Sequence, residues 1–102
     1  MRPAEESRWL VLVPFDAREG MSLRAAAKHA GKSETTIRNW CVSHGLGRRV
    51  GGGVWVISRV ALAMFLDDDL IALTSYLSGD RSSLAVKLYF DRFGLPLPKS
   101  SV

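Results

Sequence analysis

The chain holds a single cysteine, Cys41, and only two histidines, His29 and His44. One thiol excludes an internal disulfide, and so few soft ligands leave no set for a zinc site, so a protein without metal or cofactor is expected. Long apolar runs are also missing. The longest near the start, Trp9 to Phe15, is too short to span a bilayer and follows Glu5 and Glu6, which argues against a membrane helix and a secretory signal. A cytoplasmic chain with no membrane partner is expected. No constellation of His, Cys and carboxylates has catalytic spacing. Asp67-Asp68-Asp69 cannot converge from one helix face and suits helix capping, so no catalytic residue is assigned and no enzyme is expected. The triple glycine at 51–53 lacks the Lys-Ser/Thr of a P-loop and the spacing of a dinucleotide-binding turn. Neither an internal repeat nor a low-complexity tract is visible.

What remains is 102 residues, 47% of them hydrophobic, with a net charge of +4. That length holds one domain with a modest core. The charge is unevenly spread. Residues 18 to 59 carry eight basic side chains against two acidic ones, a net +6, while the segments on either side are each −1. A basic segment of this kind supplies the phosphate attraction that dominates nucleic-acid affinity; a solvated basic face is the plainer alternative.

Within that segment, Leu23, Ala26, Ala27 and Ala30 have helical spacing from an N-capping Ser22 to Gly31. Ser33 caps a second helix with inward positions Ile37, Trp40 and Cys41, running to about Ser43 before Gly45. Two short helices with so little between them suit a helix-turn-helix, whose second helix enters the major groove. Arg48 to Ile57 reads as a hairpin, with Val50 and Val54 to Ile57 flanking the glycines. Ser58 then caps a helix through Leu66 that packs back through Val60, Ala61, Met64 and Phe65, and Asp67 to Asp69 end it or start the next. Leu70, Ile71, Leu73, Tyr76 and Leu77 form a further apolar face. Leu84, Ala85, Leu88, Tyr89 and Phe93 line one side of a last helix that Gly94, Pro96 and Pro98 terminate. Trp9 to Val13 has strand propensity, pairing with the hairpin or covering the core.

The expected fold is therefore mainly α with a small β wing: a winged helix-turn-helix with additional C-terminal helices. Residues 1–21 form a tail and short strand, 22–66 the DNA-binding core, 67–94 a helical pair packed on it, and 95–102 a flexible tail. On the second helix, Thr35, Thr36, Arg38, Asn39 and Ser43 turn outward as candidate base and phosphate contacts. Arg38 suits guanine, Asn39 adenine, and the threonines a thymine methyl or a phosphate. Lys28, Lys32 and Ser33 surround the helix start, where ammonium, hydroxyl and free N–H groups suit phosphate. Arg48 and Arg49 stand at the root of the wing, beside the backbone or minor groove. Trp40 and Trp55 fit packing better than base stacking.

The string Ala26-Ala27, Gly31, Ser33-x-x-Thr36-Ile37-Arg38-x-Trp40 and Gly45-Leu46, followed by a basic wing and Ser58-x-Val60-Ala61-Leu62, resembles the MerR-like winged helix-turn-helix superfamily, most of all its small excisionase-type proteins. The resemblance covers about residues 22 to 66. It implies Arg38 on DNA and Arg48 and Arg49 gripping the flanking backbone. Lys32 departs from it, standing where an aliphatic residue is usual; its alkyl stem can cover the core while the ammonium reaches out. The residues of this chain supply neither the long dimerising coiled coil nor the effector site of MerR regulators proper, so a ligand-sensing activator is not expected. The resemblance implies double-stranded DNA as partner, bound by several protomers at neighbouring sites, with a site-specific recombinase or RNA polymerase as protein partner. The leading expectation is an excisionase-like architectural factor or small transcriptional regulator. A DNA-packaging recognition subunit and a protein-interaction module of the anti-activator type are the alternatives.

Overall fold

A computed structural model describes residues 9–98. Serines at element boundaries set much of the helical order. Ser22, Ser33 and Ser58 each sit in extended backbone, and each accepts a hydrogen bond from the N–H three residues on, Ala25, Thr36 and Ala61 respectively, at 3.0–3.1 Å. These bonds satisfy donors that a first helical turn leaves open. They start α1 (Leu23–Ala30), α2 (Glu34–His44) and α3 (Arg59–Leu66). Asp69 caps α4 (Leu70–Leu77) and Ser83 caps α5 (Leu84–Arg92) in the same manner. The stops of α1 and α2 are Gly31 and Gly45, at φ +70° and +73°, where a side chain would be strained.

The described residues are thus mainly helical, with one small antiparallel sheet in the order β1 (Gly20–Ser22), β3 (Trp55–Ser58), β2 (Gly47–Arg49). Gly47 pairs with Ile57, Arg48 with Val56 and Arg49 with Trp55. A 3-10 turn, Val50–Gly52, closes the hairpin, so Val50 lies in the turn instead of the strand. A Cβ at position 47 would stand 2.4 Å from the Val56 carbonyl oxygen and 3.0 Å from Cys41 Sγ. Only glycine lets the hairpin root lie this close to α2.

One apolar cluster joins Ala26 and Ala27 of α1, Ile37 and Cys41 of α2, Ile57 of β3, Val60–Met64 of α3, and residues from α4 and α5. Several further expectations need correction. Trp9 to Val13 forms no strand; the third strand is Gly20–Ser22. The backbone of the N-terminal segment is satisfied by a helix end and by buried side chains. Leu10 N–H donates to the Leu77 carbonyl, Leu12 N–H donates to Tyr76 Oη, and the Leu10 and Val13 carbonyls accept from Arg81. Leu12, at φ +59°, turns the chain where a strand would continue.

On α4 the inward residues are Ala72, Leu73, Tyr76 and Leu77, whereas Leu70 and Ile71 are exposed. On α5 the inward residues are Val86, Tyr89 and Phe90, and Leu84 and Leu88 are exposed. The Phe90 ring meets that of Tyr76, and this contact selects the buried stripe. Leu95 is also buried, its N–H bonded to the Phe90 carbonyl, so the chain is still packed where a loose tail was expected. Residues 1–8 and 99–102 lie outside the described residues.

The core has a polar centre. Glu19, only 2% exposed, accepts hydrogen bonds from the hydroxyls of Ser58 and Tyr76. Burial holds the Glu19 carboxyl above the usual carboxylate range, against the two hydroxyls and the Arg81 charge, which favour ionisation. Burial and the adjacent Glu19 charge push the Tyr76 phenol up. Arg81, also buried, donates to the carbonyls of Tyr76, Asp80, Leu10 and Val13 at 2.7–3.0 Å, with its guanidinium carbon 4.0 Å from the centre of the Tyr76 ring. Among the described residues no helix is long and apolar enough to cross a membrane.

Candidate nucleic-acid interface

Packing fixes the rotation of α2. Ile37 and Cys41 are buried, and Trp40 and His44 each rest against Phe65 of α3 with ring centroids 4.8 Å apart. At about 100° per residue, the opposite side of the helix carries Thr35, Asn39 and Val42, flanked by Arg38 and Ser43. All five are exposed.

The other sequence-derived positions divide by what already engages them. The Ser33 hydroxyl accepts from Thr36 N–H and donates to Thr36 Oγ1 at 3.0 Å, so both side chains are occupied at the start of α2, and Thr36 is half-buried. Lys28 and Lys32 are exposed on the last turn of α1 and in the connection to α2. In the hairpin, Arg48 and Arg49 point to opposite faces of the sheet, as neighbours in a strand must. Arg49 Nε donates to the Gly53 carbonyl at 3.0 Å, which ties the arginine across the glycine turn. Gly51 and Gly52, at φ +65° and +72°, present a tip with no side chain. Trp40 and Trp55 are half-buried and pack against the core.

The cations fall into two groups. Arg18 pairs with Asp16, Lys87 with Asp91 and Arg92 with Asp67, at 2.7–3.0 Å. Arg49, Arg59 and Arg81 donate to backbone carbonyls. Arg24, Lys28, Lys32, Arg38 and Arg48 make no hydrogen bond or ion pair among the described residues, and all five are exposed. These five belong to α1, α2, the connection between them and β2, where Glu34 is the one acid on those elements. Such a surface attracts anions, and its ammonium and guanidinium groups are free to bind phosphate oxygens.

The other polar groups serve structure. Burial pushes the Cys41 thiol up to about 12, against the lowering effect of Arg38, so it stays protonated at neutral pH and lacks the thiolate that nucleophilic chemistry needs. Asp67 and Asp69 accept from the Tyr89 hydroxyl, and Asp69 also caps α4. The Arg92 guanidinium, with Tyr89, holds the Asp67 carboxyl below its usual range.

Arg24 and Val42, both exposed on these elements, were not among the site residues read from sequence. Arg24 was visible only as part of the charge excess, and Val42 only as a non-core position on α2. No family model, curated protein or solved structure matches this chain; the reading of the surface rests on its own residues.

Proposed function

We propose that this chain is a winged helix-turn-helix protein that binds double-stranded DNA sequence-specifically in the cytoplasm and performs no catalysis of its own. In this reading α1 and α2 form the helix-turn-helix and the β2–β3 hairpin is the wing. The observation that carries it is the division of cations among the described residues: those elsewhere are paired with acids or bonded to carbonyls, while five around the helix pair and hairpin root are exposed and have no hydrogen bond or ion pair there. Thr35, Arg38, Asn39 and Ser43 face the bases. Lys28, Lys32, Arg48 and the tethered Arg49 hold phosphates, and Ser33 and Thr36 act by fixing the start of the reading helix. The resemblance to excisionase-type proteins favours an architectural factor that works beside a recombinase, or a small regulator that works beside RNA polymerase, with several copies on neighbouring sites.

Selection of bound sequences from random duplexes at near-physiological salt tests the reading. An enriched motif supports it, and repeats in helical phase would favour the architectural role. A second reading, a protein-interaction module, draws on the exposure of Ile71, Leu84 and Leu88 at 81%, 68% and 56%. It requires a wild-type protein with no measurable duplex affinity.

A further inference from the structure

Val42 stands 62% exposed on α2, one turn beyond Arg38 and Asn39 and on the same outward side as Thr35. Packing does not account for it, since the helix buries its opposite side through Ile37 and Cys41. Helix propensity does not either, because a β-branched residue is a poorer helix former than alanine or the long polar residues common on exposed faces. It places two methyl groups on a face whose other members are polar.

We propose that Val42 is a specificity-determining residue that contacts the C5-methyl group of a thymine in the major groove. This rests on the DNA-binding reading above. Phosphates offer nothing to an isopropyl group. Among the major-groove edges of the four bases, the thymine methyl is the one apolar feature, the others being hydrogen-bond donors and acceptors. The spacing along α2 puts this thymine next to the bases faced by Arg38 and Asn39.

The test replaces each thymine of the selected site in turn with deoxyuridine, which removes only the C5-methyl, and compares wild type with Val42→Ala. The alanine variant loses both methyls and keeps α2 helical; an unchanged melting temperature verifies its fold. Burial of one methyl-sized group corresponds to a roughly fourfold change in affinity. One replacement should therefore weaken wild type about fourfold and leave Val42→Ala nearly unaffected. A selected site at which no replacement matters, or at which both proteins lose equally, overturns the assignment to Val42 and leaves DNA binding standing. The absence of any selected site overturns the DNA-binding reading and this proposal together.

Discussion

Arg38 and Arg48 are both exposed and, among the described residues, unpaired, yet they stand on different supports. Arg38 rises from a helix rotated by its packing against Phe65, whereas Arg48 projects from a strand beside a bare glycine turn. Arg38→Ala should cost on the order of 1 to 3 kcal/mol at the selected site and little on random duplex. Arg48→Ala should weaken all sequences alike; competition binding separates the two patterns, and a uniform loss for Arg38→Ala would contradict base reading. Arg49→Lys keeps the charge but removes the Nε donor to the Gly53 carbonyl. It should therefore weaken duplex binding measurably, and full retention of affinity would show the tether to be dispensable. At this scale the sequence displays residue types but not commitments. The outward position of Arg38 followed from helical spacing, whereas the engagement of Ser33 with Thr36 and of Arg49 with Gly53 depends on three-dimensional geometry.

At the scale of elements, capping chemistry was readable because it is local. Ser22, Ser33 and Ser58 start their helices and Gly31 and Gly45 end them, each within one turn of the sequence that specifies it. The apolar faces of α4 and α5 were not. On α5 the sequence offers two apolar stripes one helix face apart, Leu84 with Leu88 and Val86 with Phe90, and periodicity cannot rank them. The Tyr76 ring does, by meeting Phe90. Phe90→Ala should accordingly cost about 3 to 5 kcal/mol of stability, and Leu88→Ala about 0.5 or less. Denaturant unfolding of both variants checks this, and comparable losses would return the buried face to Leu84 and Leu88. Trp9 to Val13 misled for a related reason: its propensity is strand-like, but its backbone partners lie on Leu77, Tyr76 and Arg81, far along the chain.

Across the whole molecule, Glu19 joins the sheet side to the C-terminal helices through Ser58 and Tyr76, and Arg81 binds the N-terminal segment to the end of α4. Nothing in the sequence marks Glu19 as buried, since glutamate is ordinarily a surface residue. Burial raises its folded-state pKa above the ordinary carboxylate value. A carboxyl raised on folding contributes stability that is full below its unfolded pKa and is lost as pH rises through the folded pKa. The melting-temperature advantage of wild type over Glu19→Gln should therefore shrink as pH climbs from about 4 toward 8. An advantage that stays flat or grows would place the Glu19 pKa at or below its ordinary value.

The unpaired cations carry the central claim, and the salt dependence of duplex binding measures them most directly. Each phosphate neutralised contributes about −0.9 to the slope of log affinity against log salt, so the four phosphate contacts Lys28, Lys32, Arg48 and Arg49 give a wild-type slope of roughly −3 to −4. Arg48→Gln should make that slope shallower by about one, while Lys87→Gln, which removes a cation already paired with Asp91, should leave it unchanged. Undetectable binding at low salt, or equal slope changes for the two variants, would contradict the account.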